Sequence, residues 1–265
     1  MKIGILGCAG RMGRMLVAQV LATEGAELAG GSEAPGSEFA GQDITQLAGH
    51  EPAGLVVGDD TRALFEASDA VIDFTVPAAT AIHAVLAEDT ATALIVGTTG
   101  LDAAQQDAIN EAATKAPVVQ AANFSVGVNL MLSLTEQVAA TLADDYDIEI
   151  VEMHHRHKVD APSGTALALG DAAALGRGVD LGAKSQRVRD GHTGPRQAGD
   201  IGFATLRGGD VAGDHTVIFA GDGERVELTH KAANRSVFAS GAVRAALWTE
   251  GRASGLYSMR DVLST

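Results

Sequence analysis

The segment Lys2-Ile3-Gly4-Ile5-Leu6, the turn Gly7-Cys8-Ala9-Gly10-Arg11-Met12-Gly13 and the apolar periodic run over residues 15–22 constrain this chain more than any other feature. A short run of aliphatic residues reads as a buried strand, and apolar side chains recurring at helical spacing read as one face of a helix. Between them stand three glycines in a GxxGxxG spacing. Glycine lets the backbone turn sharply and approach a pyrophosphate, and the helix start that follows presents N–H groups and partial positive charge to that anion. A second strand over residues 26–31 leads to Glu33, twenty residues after Gly13. An acidic side chain there can accept hydrogen bonds from the ribose hydroxyls of an adenosine. A bare glycine triplet also fits a plain tight turn, but strand, turn, helix and acidic residue together predict a dinucleotide site.

The alternation continues to residue 125. Apolar runs over 55–58, 70–75, 93–97 and 118–121 read as strands. Residues 78–87, opened by Pro77, and the alanine-rich stretch 101–116, capped by Asp102, read as helices. Strands alternating with helices predict an α/β fold, a Rossmann-like doubly wound parallel sheet. Ligands of such sheets sit beyond the carboxyl ends of the strands. That places Asp73-Phe74-Thr75, Gly97-Thr98-Thr99 and residues 121–124 on the same rim as the glycine turn.

Past residue 126 the pattern changes. An amphipathic helix over 128–142 and a strand over 148–153 lead into a helix over 163–175. Residues 179–199 are polar and glycine-rich and read as a long loop. Three strands follow over 201–207, 215–220 and 225–230, joined by Gly-Asp turns. Consecutive strands predict an antiparallel or mixed sheet, hence a second domain of α+β type. A helix over 237–248 and a short tail end the sequence.

The strand 148–153 runs into His154-His155-Arg156-His157-Lys158-Val159-Asp160-Ala161-Pro162-Ser163-Gly164-Thr165-Ala166. Histidine and lysine are readily tuned for proton transfer. Ser163 is a favourable helix N-cap, and the N–H groups of Gly164 and Thr165 after it can cradle a carboxylate. The three histidines could instead bind a metal, but no Cys, Asp or Glu stands at a familiar ligand spacing, so no metal is expected. In an extended chain His154 and Lys158 would share a face about 13 Å apart, and a turn would bring them closer. Thr98 and Asn123 either touch a nicotinamide or satisfy their own loops.

Charge sharpens the division. Residues 1–125 carry five Lys and Arg against sixteen Asp and Glu, and the remainder fourteen against eighteen. The net charge of −15 argues against nonspecific nucleic-acid binding. The basic residues clustered between Arg156 and Arg207 are where a small anionic substrate is expected, although many will be solvated surface charge. No apolar run approaches the ~20 residues of a membrane span. The single cysteine excludes an intrachain disulfide and fits a reducing cytoplasm.

The chain closely resembles the dihydrodipicolinate reductase family. The resemblance rests on residues 7–13, Asp73-Phe74-Thr75, residues 97–100, 121–127 and 152–166, Ile201-Gly202-Phe203-Ala204-Thr205-Leu206-Arg207 and His230-Lys231-Ala232, and it covers essentially the whole sequence. It implies a dinucleotide-binding domain over 1–126 and 235–265, and a substrate-binding and tetramerisation domain over 127–234. It also implies a cytoplasmic homotetramer in diaminopimelate and lysine biosynthesis. By position His154 is similar to the family's acid/base residue and Lys158 to its proton donor, with His155, Gly164 and Thr165 as substrate contacts. Gly7, Cys8, Ala9, Gly10, Arg11, Met12, Glu33, Gly97, Thr98, Thr99, Ala121, Ala122, Asn123 and Phe124 resemble its contacts to NADH or NADPH. Ala34-Pro35-Gly36 stands where some members carry a basic residue, which tilts the expectation toward NADH. A reductase of another small amino or imino acid, or a cofactor-sensing binding protein, are the competing readings.

Overall fold

The computed structural model of the chain describes residues 1–142 and 144–264. They divide into two compact units, Met1–Val126 with the chain from Ser236 onward, and Gly127–Arg235.

The first unit begins with β1 (Lys2–Leu6), α1 (Arg11–Ala22), β2 (Glu27–Ser32), α2 (Ile44–Leu47) and β3 (Val57–Gly58). It continues with α3 (Thr61–Glu66), β4 (Ala70–Asp73), α4 (Pro77–Thr90), β5 (Ala93–Val96), α5 (Ala103–Ala112) and β6 (Pro117–Gln120). Every residue of β4 and β5 is buried, as a strand covered on both faces requires. Alternation splits their side chains. Ile72 and Ile95 join Ile3 and Ile5 against Leu16, Val17 and Val20 of α1. Val71, Leu94 and Val96 meet Phe65 of α3, Ala84 and Ala87 of α4 and Ile109 of α5. Each such fully buried aliphatic contributes about 1.5–3 kcal/mol relative to exposure.

The second unit follows with α6 (Val126–Thr141), β7 (Asp147–His154), α7 (Gly164–Arg177), α8 (Leu181–Lys184), β8 (Ser185–Gln186), β9 (Ile201–Arg207), β10 (Gly213–Gly221) and β11 (Glu224–Ala232). The chain then returns to the first unit with α9 (Ser236–Trp248), β12 (Gly255–Tyr257) and α10 (Met259–Leu263).

The first sheet has the order β12-β6-β5-β4-β1-β2-β3 and is parallel throughout. All strand carboxyl ends therefore lie on one rim. The direction of strand addition reverses between β1 and β4, the crevice where open α/β sheets bind ligands. Ala239, Ala242, Val243, Ala245 and Ala246 of α9 complete the core on the α1 side. Gly241 makes that return possible, since a Cβ there would lie 1.7 Å from the Phe124 carbonyl oxygen. The short tail after α9 adds β12 beside β6, with Tyr257 packed edge-on against Trp248 at 5.1 Å.

The second sheet is mixed, with the order β11-β10-β7-β9-β8. β11, β10 and β7 pair antiparallel, whereas β7, β9 and β8 pair parallel, so α7 lies within the crossover from β7 to β9. Register aligns one apolar face, on which Ile148 and Ile150 lie beside Ile201 and Phe203 of β9 and Phe219 and Val217 of β10. Met131 and Ala139 of α6 and Ala166, Leu169 and Ala173 of α7 cover it. The polar stretch 179–199 is not wholly loop, because it contains α8 and β8. Arg189 and Arg196 hold it to Glu149, and Arg196 also binds Asp147.

Candidate active site

In the first unit the glycine turn is shaped by two contacts. Gly7 has φ +63°, the left-handed region that favours glycine. A Cβ on Gly13 would fall 2.0 Å from the Gly7 carbonyl oxygen, so α1 can begin this close to the turn only without a side chain there. Gly10 is the N-cap and supplies no side-chain cap. Ala9 and Cys8 are buried, whereas Gly10 and Arg11 are exposed and Met12 is half-buried. Glu33 reaches across from the end of β2, and its Oε1 accepts the Ala9 N–H at 2.8 Å. Arg14 donates from Nε to the Ala9 carbonyl at 2.7 Å and lies 5.4 Å from the Phe39 ring centroid. One N–H of its guanidinium thus braces the turn. Burial, then the Glu33 charge, push the Cys8 thiol up to about 12, so Cys8 is an inert packing group. An open glycine cradle at a helix start, with a carboxylate on the neighbouring strand end, fits a dinucleotide.

The other rim segments are bound to one another. Gly97 lies so near the Phe74 ring that a Cβ would meet it at 2.4 Å, and Phe74 packs on Phe124 with centroids 5.5 Å apart. Thr98 accepts from Thr80 Oγ1 at 2.8 Å and donates to Asp73 at 3.3 Å. Asn123 Oδ1 accepts the Ser125 N–H at 2.8 Å. Both side chains take part in holding the rim itself. Thr99 and Ala122 are exposed and Ala121 is half-buried. Asp73, fully buried, also accepts from Thr75 N at 2.8 Å and Oγ1 at 2.6 Å, and pairs with His83 Nδ1 at 2.7 Å. Sequence reading placed Asp73 on the rim but missed this network.

In the second unit the alternation of β7 puts Glu152 and His154 on the same buried face as Ile148 and Ile150. Register brings Arg207 of β9 beside His154 and His215 of β10 beside Glu152. Glu152 is 1 % exposed. Its Oε2 lies 2.6 Å from His154 Nδ1, and Arg207 donates to both its oxygens at 2.7 and 2.9 Å. Its Oε1 also accepts the Ser163 N–H at 3.0 Å. Burial alone would raise the Glu152 carboxyl, but hydrogen bonds from Arg207 and His154 outweigh it and hold it below the usual carboxylate range. Ionised Glu152 only accepts, so the proton of that short bond sits on Nδ1 and leaves Nε2 as the exchangeable nitrogen of His154. A Cβ on Gly213 would come within 3.0 Å of that Nε2, so glycine there leaves it room.

After His154 the chain does not stay extended. It turns over residues 155–158, closed by Lys158 N–H to the His155 carbonyl at 3.1 Å. His155 keeps its Nδ1 buried without a hydrogen-bond partner among the described residues. Lys158 Nζ lies 2.8 Å from both Asp160 oxygens. Ser163 caps α7 by accepting the Ala166 N–H at 3.1 Å, so Gly164 and Thr165 form the first turn, next to the seat that Glu152 provides. Ser163 Oγ also lies 2.9 Å from His215 Nε2. Burial first, then the neighbouring His154, push His215 down to about 4, so it is neutral at pH 7. Glu152, Arg207 and His215 were not identified from sequence as site groups. No group of three or more His, Cys, Asp or Glu among the described residues could hold a metal ion.

Two family models match, dihydrodipicolinate reductase, N-terminus, over residues 1–124 and dihydrodipicolinate reductase, C-terminus, over 127–263. A 4-hydroxy-tetrahydrodipicolinate reductase of Rhodopseudomonas palustris (strain BisA53) is 54% identical over 263 residues, 99% of this chain and 96% of that protein. One from Afipia carboxidovorans is 55% identical, covering 99% and 97%. Among solved structures, a dipicolinate-bound dihydrodipicolinate reductase from Paenisporosarcina sp. TG-14 superposes with TM-score 0.77 at 25% identity, covering 99% of each chain. A probable dehydrogenase from Thermotoga maritima shares the fold at TM-score 0.64 and 12% identity over 99% of this chain and 92% of its own. With both halves matched by the family's models and relatives aligned over nearly their full length, the chain belongs to the dihydrodipicolinate reductase family.

Proposed function

We infer that this chain reduces 4-hydroxy-tetrahydrodipicolinate to tetrahydrodipicolinate with loss of water, using NADH or NADPH, as a step of diaminopimelate and lysine biosynthesis. The observation that carries this reading is His154 held by buried Glu152 beside the start of α7, in a chain of this family. The substrate is a dianion. The first turn of α7, at Gly164 and Thr165, offers N–H groups and partial positive charge to one carboxylate, and His155 and Lys158 supply donors for the other. Leaving hydroxide needs a proton, and the reduced ring takes one up. His154 Nε2 and the Lys158 ammonium are the groups that hold and deliver protons. Lys158 reaches the ligand by exchanging Asp160 for a substrate carboxylate.

Gly7, Cys8, Ala9, Gly10, Arg11 and Met12 would hold the pyrophosphate, Glu33 the adenosine ribose, and Gly97, Thr98, Thr99, Ala121, Ala122, Asn123 and Phe124 the nicotinamide end. The bound reduced nicotinamide supplies the hydride. The domains are assigned as 1–126 with 235–265 for the cofactor, and 127–234 for substrate and for assembly of a cytoplasmic homotetramer. No helix among the described residues is long and apolar enough to cross a membrane.

A coupled assay tests the activity. Fresh synthase product from pyruvate and aspartate semialdehyde should drive NADH oxidation, and pyridine-2,6-dicarboxylate should inhibit competitively with that product. Oxidation with other imino acids but not with this product would favour the competing reductase. NADH binding without turnover on any of them would favour a sensor.

The cofactor preference follows from the end of β2. Glu33 faces the turn, no basic residue stands over 31–38, and Arg14 is already bound to Ala9 and packed near Phe39. A ribose phosphate near Glu33 meets a like charge, at a cost on the order of 1 kcal/mol. Exposed Arg11 offsets part of it. NADH should therefore be preferred several-fold in kcat/KM, with NADPH still used. Ala34→Arg should move the ratio toward NADPH by about tenfold, the worth of one hydrogen bond to a charged group. A clear NADPH preference in the unmodified protein, measured at one ionic strength, would mean that Arg11 outweighs Glu33.

A further inference from the structure

The Glu152 carboxylate is a densely bonded buried group of the second unit. It accepts from His154, from both terminal nitrogens of Arg207 and from the Ser163 N–H. Arg207 in turn donates to the Asp160 carbonyl at 2.7 Å, on the loop that carries Lys158. One buried carboxylate and its arginine thus touch the proton-transfer histidine, the N-cap of α7 and the lysine loop. Desolvating a carboxylate is costly, and an apolar residue on this strand face would pack well against α7. The pattern of β7, with Ile148, Ile150, Glu152 and His154 on one buried face, calls for such a residue at 152.

We propose that Glu152, held by Arg207, is the positioning residue of this site: it fixes His154 with its proton on Nδ1, directs Nε2 to the substrate and stabilises the imidazolium form. This rests on His154 being the acid/base group. The charged and titratable groups around His154 are Glu152 on its own strand, Arg207 from β9, His215 from β10 with His230 of β11 beyond it, and Lys158 and Asp160 from the following loop. Neutral His215, packed edge-on at 5.1 Å, adds no competing positive charge. Glu152 is therefore the negative group in direct contact with the ring.

Glu152→Gln keeps the shape and an acceptor but removes that charge. An opposite charge at contact distance favours the charged form of an imidazole. The variant should lose about tenfold or more in kcat above pH 7 and recover as pH falls, with the alkaline limb of the profile displaced toward acid. NADH affinity, read by fluorescence titration, should be unchanged, because Glu152 belongs to the other unit. Proton NMR of the unmodified protein should show a far-downfield Nδ1–H resonance that disappears in Glu152→Gln and in His154→Ala. A displaced limb together with the lost resonance supports the proposal. A loss of equal size at every pH, or a resonance that persists in Glu152→Gln, overturns it. Failure of the proposed activity would show instead as an unmodified protein inactive on the dipicolinate precursor, and the NMR result stands apart from that outcome.

Discussion

His154→Ala and Lys158→Met should each lower kcat on the dipicolinate precursor by about 10²-fold or more, the usual contribution of a positioned acid or base. The two losses have different origins. Removing the His154 ring leaves Glu152 with Arg207 and the Ser163 N–H, so the buried charge stays compensated and the unit stays folded. What is lost is the exchangeable Nε2. Removing the Lys158 ammonium frees Asp160, whose side chain is 57% exposed, and such surface pairs contribute about 0–1 kcal/mol to stability. What is lost there is the donor that meets substrate. Stopped-flow turnover measured alongside NADH titration separates chemistry from cofactor binding, and NADH affinity should change little. Near-normal turnover in both variants would remove these residues from the reaction.

The cofactor half was legible in the sequence because its signals are local. A strand, three glycines and a helix start lie within a dozen residues, and short apolar runs such as Ala70-Val71-Ile72 and Ala93-Leu94-Ile95-Val96 announce strands buried on both faces. Short elements were not legible. α2, β12 and α10 are three to five residues long, too short for a period to show. The strand expected over 55–58 shrinks to Val57–Gly58 because the Leu55 carbonyl accepts from Ile44 N and Val56 bridges Asp43 outside the sheet. In the second unit the histidine segment was conspicuous, but the groups that organise it arrive by pairing across strands. Arg207 is fifty-three residues from His154 and adjoins it only through parallel register, and His215 reaches Glu152 through antiparallel register. One local signal was available. Period-two alternation from Ile148 places a glutamate on a buried face, and such a residue has to be paired.

His83→Ala should destabilise the first unit by about 2 kcal/mol near pH 7, the cost of leaving a buried carboxylate without one of its hydrogen-bond partners. Asp73 is fully buried at the end of β4, and its hydrogen bonds reach Thr75 after the strand, His83 in α4 and Thr98 after β5. Burial pushes its carboxyl up, but His83 first and then Thr75 pull it down further, so the net shift is downward. A carboxyl lowered by folding stabilises the native state above its unfolded value, near 3.9, and that contribution is lost as pH falls through the native value. Without His83 the downward pull weakens. The difference between the two proteins should therefore shrink as pH falls below about 4. Trp248 is the sole tryptophan and lies in this unit, so its fluorescence during urea unfolding reports the right transition. Thr98 shares the network, so the same substitution loosens the rim where the nicotinamide is expected, and KM for NADH and NADPH should rise together. A loss under about 1 kcal/mol, with both KM values unchanged, would mean that Thr75 and Thr98 alone satisfy Asp73 and that the histidine is packing.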